Sequence, residues 1–95
     1  MDVRVIIVSH PDATYQVCVL APEQLPVRSW MRMYDSKLLC MTELRSIDLL
    51  TPIEADDALA TDFEGRDAVL VARTHTDPDT LSAAGFIERE KDFIN

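Results

Sequence analysis

Two stretches rich in β-branched residues, Val3 to Val8 and Thr14 to Leu20, lie near the N-terminus with only Ser9-His10-Pro11-Asp12-Ala13 between them. A connection that short, made of turn-forming residues, brings the second stretch back along the first and predicts an antiparallel β-hairpin. Val3 to Val8 alternates only loosely, so its strand should be buried on both faces or nearly so. In the second stretch Tyr15, Val17 and Val19 alternate with Gln16, Cys18 and Leu20. Pro22 and Pro26 then mark a connecting loop.

The next segment carries two readings. Val27, Trp30, Met31, Tyr34, Leu38 and Met41 recur at helical spacing, and Pro26 suits a first helical position, so a helix over 27–41 is preferred. The competing reading is a hairpin with strands at Ser29 to Tyr34 and Leu38 to Leu44 around Asp35-Ser36-Lys37. The later part of Thr42 to Leu50 reads as a strand. Thr51-Pro52-Ile53-Glu54 combines a capping Thr, a proline at the first helical position and a Glu three residues on, which predicts a helix over 51–63. Glu64-Gly65-Arg66-Asp67 should end it.

Ala68 to Ala72 is a short apolar run consistent with a central strand. Asp77-Pro78 or Thr76 should start a short helix running to Ala84, closed by Gly85 in the left-handed conformation. Phe86 to Glu90 reads as an edge strand, and residues 91–95 as a tail in which Phe93 and Ile94 could dock. The chain has 95 residues, of which 47% are apolar and 27% charged, as in an ordinary globular protein. The expected fold is therefore a single layered α+β domain. Its sheet should be mixed or antiparallel with four to five strands, beginning with the N-terminal hairpin and joined by two to three short helices.

Charge is distributed unevenly. The formal net charge is −8. Residues 1–47 hold five acids (Asp2, Asp12, Glu23, Asp35, Glu43) and five bases (Arg4, Arg28, Arg32, Lys37, Arg45), whereas residues 48–95 hold twelve acids against Arg66, Arg73, Arg89 and Lys91. All the net negative charge thus belongs to the second half. Such a field repels nucleic acid and anionic lipid, and favours a basic protein partner. No apolar run is long enough for a membrane span or a signal peptide, which predicts an intracellular, cytoplasmic protein.

Chemistry-bearing motifs are few. Cys18 and Cys40 have no CxxC spacing and no close His, and read as buried reduced thiols. No serine sits in a GxSxG context, and two glycines, Gly65 and Gly85, cannot build a phosphate-cradling loop. No cofactor is indicated, and a non-enzymatic protein is the preferred reading. The nearest approach to a metal constellation is the pair His10-Pro11-Asp12 and His75-Thr76-Asp77, the latter followed by Asp79. If the strands before them lay side by side and parallel, His10, Asp12, His75, Asp77 and Asp79 would converge as a ligand set for zinc, manganese or iron, serving a metal-binding protein or hydrolase. The plainer reading makes both triplets turn residues in solvated loops.

Two stretches could bind a partner. Glu54, Asp56, Asp57, Asp62, Glu64 and Asp67 could form a surface resembling duplex phosphates and engage the Lys and Arg of a nucleic-acid-handling complex; the plainer reading is a solvated helix face. Arg28, Trp30, Arg32, Met33 and Tyr34 have the composition of an interface anchor, although Trp30 and Tyr34 would serve equally as the core side of an amphipathic helix. The leading expectation is an acidic protein that binds and occludes a basic surface. By analogy of size and charge alone, that is how small inhibitors of CRISPR or restriction systems act. A homodimeric accessory or assembly subunit is a further alternative.

Overall fold

The computed structural model of the chain describes residues 1–50, 59–63 and 66–89, with side chains described at 1–50 and 68–89. Six strands and two helices follow one another along the described chain. They are β1 (Asp2–Ser9), β2 (Tyr15–Ala21), β3 (Arg28–Tyr34), α1 (Lys37–Ser46), β4 (Leu59–Phe63), β5 (Arg66–His75), α2 (Pro78–Ala83) and the two-residue β6 (Ile87–Glu88). The strands form one sheet in the order β4-β5-β1-β2-β3-β6, and every neighbouring pair is antiparallel. The chain is an α+β protein, as expected.

The N-terminal hairpin is present, with Arg4 opposite Leu20 and Ser9 opposite Tyr15. Its loop closes where the His10 amide donates to the Thr14 carbonyl at 3.0 Å, with Ala13 in the left-handed region at φ +68°. Strand β1 lies between β2 and β5 and is buried on both faces, which explains its run of Ile and Val without polar alternation. Val3, Val5 and Ile7 face one way and join Val17, Val19, Ala21, Trp30 and Ala72. Ile6 and Val8 face the other way and join Cys18, Ala68 and Leu70.

Both helices cover the first of these faces. Cys40 and Leu44 of α1, Leu49 after it, Leu81 of α2 and Phe86 after it all belong to the core cluster of Val3, Val5 and Ile7. Each helix ends in the same six-residue device. The Leu49 amide donates to the Leu44 carbonyl at 2.9 Å and the Asp48 amide to Arg45 at 3.2 Å, while Phe86 and Gly85 repeat the pattern on Leu81 and Ser82 at 3.0 Å each. This satisfies carbonyls that the last turn leaves without partners, and it drops an apolar residue beside the one five positions earlier. The left-handed position is filled by Gly85 at φ +87° in one case and by Asp48 at φ +58° in the other.

Three expectations are corrected. Residues 28–34 form a strand rather than the start of a helix over 27–41, because pairing with β2 sets Trp30 opposite Val19 and Tyr34 opposite Tyr15. The competing hairpin had that strand right. Its second arm, however, is α1, since the Ser36 hydroxyl accepts from the Leu39 amide at 3.1 Å and caps a helix where a turn was expected. No strand occupies the later part of 42–50, where α1 ends in its cap. The helix expected over 51–63 is also overturned at its far end, for Leu59–Phe63 is the outermost strand, paired with β5. Residues 51–58 lie outside the described ones.

Other expectations hold. Ala68 to Ala72 lies within the interior strand β5. Helix α2 starts at Pro78, with the Asp77 carboxylate accepting from the Thr80 amide at 2.8 Å. The edge strand expected over 86–90 is the short β6, and residues 91–95 lie outside the described ones. Among the described residues no helix is long and apolar enough to cross a membrane.

Candidate functional site

The two HxD triplets do not meet. β1 and β5 are neighbours but antiparallel, so His10 follows the end of β1 while His75 pairs with Asp2 at its beginning. Eight residues of extended chain separate those positions by roughly 25 Å. Each triplet also has a local task. The Asp12 carboxylate accepts from the Thr14 hydroxyl at 2.6 Å and the Thr14 amide at 3.1 Å, which holds its pKa below the ordinary value and shapes the hairpin loop. His10 shares its Nε2 with Gln16 Oε1 at 2.9 Å, and Asp77 is the cap of α2. Among the described residues no group of three or more His, Cys, Asp or Glu converges on one point. The metal reading required parallel strands, and the antiparallel direction removes it.

Neither thiol is poised for attack. Burial pushes Cys40 up to about 11, so it is a thiol at neutral pH, and Cys18 is fully buried with its sulfur receiving the Gln16 amide at 3.4 Å.

The aromatic and basic segment is a single strand, β3, whose alternate residues lock its own edge. Trp30 and Tyr34 are core residues, 2% and 3% exposed, so neither is free to anchor a partner. Arg28 lies 4.9 Å from the Trp30 ring centroid and forms a two-point ion pair with Glu88 of β6, Nε to Oε2 at 2.9 Å and Nη2 to Oε1 at 2.7 Å. That contact raises the Arg28 pKa and lowers that of Glu88. Two residues on, Arg32 lies 4.8 Å from the Tyr34 ring centroid, pairs with Glu43 of α1 and donates to the Ala84 carbonyl at 2.6 Å. Each guanidinium covers the aromatic two residues further along and ties the strand to a different element. Of the five candidates only Met33 remains open, at 45% exposure, near Ile87 at 72%.

For the acidic group, the described backbone covers two positions. Asp62 of β4 and Asp67 of β5 are register partners, placing two acids at one level of the outer hairpin. Glu54, Asp56, Asp57 and Glu64 lie outside the described residues. Sequence reasoning did not find the internal roles of Arg28 and Arg32. The available signal was their i, i+2 spacing with Trp30 and Tyr34, which on a strand means a shared face.

Fold and surface together define an α+β protein with one antiparallel sheet and helices on one face, whose Ser36 and Asp77 cap the helices and whose Arg28 and Arg32 lock the β3 edge. No family model, no curated protein and no solved structure matches the chain.

Proposed function

We propose that the chain is a non-enzymatic binding protein whose acidic second half occludes a basic, nucleic-acid-binding surface of a partner complex, as inhibitors of CRISPR or restriction systems do. The observation that carries this reading is the register of the outer hairpin. Asp62 stands directly opposite Asp67, and like charges in that relation weaken a sheet unless something cationic bridges them. The pair belongs to the half of the chain with twelve acids and four bases, and β4 is the outermost strand on its side of the sheet. The fate of the N-terminal cations supports the same reading: Arg28 and Arg32 are engaged by Glu88 and Glu43 and offer little to a polyanion.

The test is competition. Purified CRISPR effectors and restriction enzymes, each loaded with fluorescent duplex DNA, are titrated with the chain at about 50 mM and about 200 mM salt. Displacement that weakens with salt is expected, and Asp62→Lys with Asp67→Lys should reduce it at least about tenfold. No displacement at the lower salt, or displacement indifferent to the two substitutions, overturns the proposal. A second reading, a homodimeric assembly subunit, draws on exposed Met33 and Ile87 at the β3–β6 edge, and light scattering distinguishes it.

A further inference from the structure

Two cations without an ion pair among the described residues stand directly opposite each other. Arg4 on β1 and Arg73 on β5 are register partners, so two guanidinium-bearing residues share one face of adjacent strands. Like charges directly opposite are unfavourable, and neither arginine has an ion pair among the described residues. The acid best placed to relieve them is Asp2, two residues before Arg4 on the same strand face. It is engaged instead by His75, whose Nδ1 lies 2.8 Å from its Oδ1; a carboxylate only accepts, so that nitrogen carries the proton. Arg4, Arg73, Asp2 and His75 line a cleft of about 270 Å³ together with Glu23 and Thr74.

We propose that this cleft binds a phosphate-type dianion, free or as the terminal group of a small phosphomonoester, between Arg4 and Arg73. A guanidinium presents two parallel N–H donors that match the oxygens of a tetrahedral oxyanion, and two on neighbouring strands embrace it from both sides. The cleft is slightly smaller than a usual small-molecule pocket of about 300 Å³ or more, which suits an inorganic anion or a short ester. The overall charge of −8 gives no general attraction for anions, so binding there depends on these two side chains. Glu23 lines the cleft as an opposing charge and limits the affinity. This site does not depend on the partner-binding reading above.

The full ¹⁵N-labelled chain is titrated with inorganic phosphate and, separately, with glycerol phosphate, against chloride at matched ionic strength. Saturable shifts at the amides of 3–4 and 73–75 are expected. Arg4→Gln and Arg73→Gln should each weaken binding at least about tenfold, Glu23→Gln should strengthen it, and Arg45→Gln on α1 should leave it unchanged. Without phosphate the Arg4→Gln and Arg73→Gln chains should melt no lower than the parent, because a repulsion has been removed; phosphate should raise the Tm of the parent more than that of either arginine variant. Response to one ligand and not the other assigns the free anion or the ester. Shifts no larger than those from chloride, or arginine variants that bind like the parent, overturn the proposal.

Discussion

Arg28 and Glu88, sixty positions apart, are joined by two hydrogen bonds of 2.9 and 2.7 Å that fasten the two-residue strand β6 to the edge of β3. Because Arg28 holds the Glu88 carboxyl below its ordinary 4.5, this contact adds stability above that pH. The contribution is lost as pH falls through the lower folded-state value. Glu88→Gln should therefore lower the Tm at pH 6 and converge with the parent in strong acid. The effect is small, as befits a half-exposed pair, and shrinks further in salt. Melting curves across pH 2 to 6 check it.

Among the described residues the buried Tyr34 hydroxyl makes no hydrogen bond of normal geometry, and burial, partly offset by the nearby Arg32 guanidinium, pushes its pKa up to about 12. Desolvating a hydroxyl that gains only a loose contact with Arg32 in return is unfavourable, so Tyr34→Phe should be neutral or stabilising by up to about 1 kcal/mol. Chemical denaturation reads this directly. A loss of stability would mean that the phenol has a partner after all.

Positive φ at non-glycine residues gives a third expectation. Ala13→Gly and Asp48→Gly should each stabilise by up to about 1 kcal/mol, because the left-handed conformation crowds Cβ against the carbonyl. Gly85→Ala should destabilise by about 1 to 2 kcal/mol through the same strain at φ +87°. Opposite signs at Asp48 and Gly85, which hold equivalent places after α1 and α2, are the outcome to look for.

Cys40 should resist alkylation in the folded protein at pH 8, since it is fully buried with its pKa at about 11. It should react at an ordinary rate once the chain is unfolded in urea. Iodoacetamide labelling followed by mass spectrometry separates the two states.

Elements with local signals were legible in the sequence. The turn between Val8 and Thr14 announced the hairpin, and Asp77, Pro78 and Gly85 bounded α2 within a residue. Trp30 and Tyr34 misled because a spacing of four puts residues on one face of a helix and also on one face of a strand; Leu59 and Phe63 repeat the ambiguity. The tie was broken by pairing with β2 and β5, which no window of adjacent residues contains. The same cause hid the sites. Whether His10 meets His75, and whether Arg4 meets Arg73, depends on strand direction and neighbour order, and these are settled only when β5 is laid against β1.

That late partner of β1 has a consequence for biosynthesis. As the chain leaves the ribosome, β1, β2 and β3 can assemble at once, but the other side of β1 stays bare until Arg66–His75 emerges. The nascent intermediate therefore presents Val3 to Val8 as an unprotected template, flanked by a segment of zero net charge that does nothing to keep copies apart. The interval before β5 emerges is the one in which the open edge of β1 can pair with another copy, and pairing with β5 closes that edge.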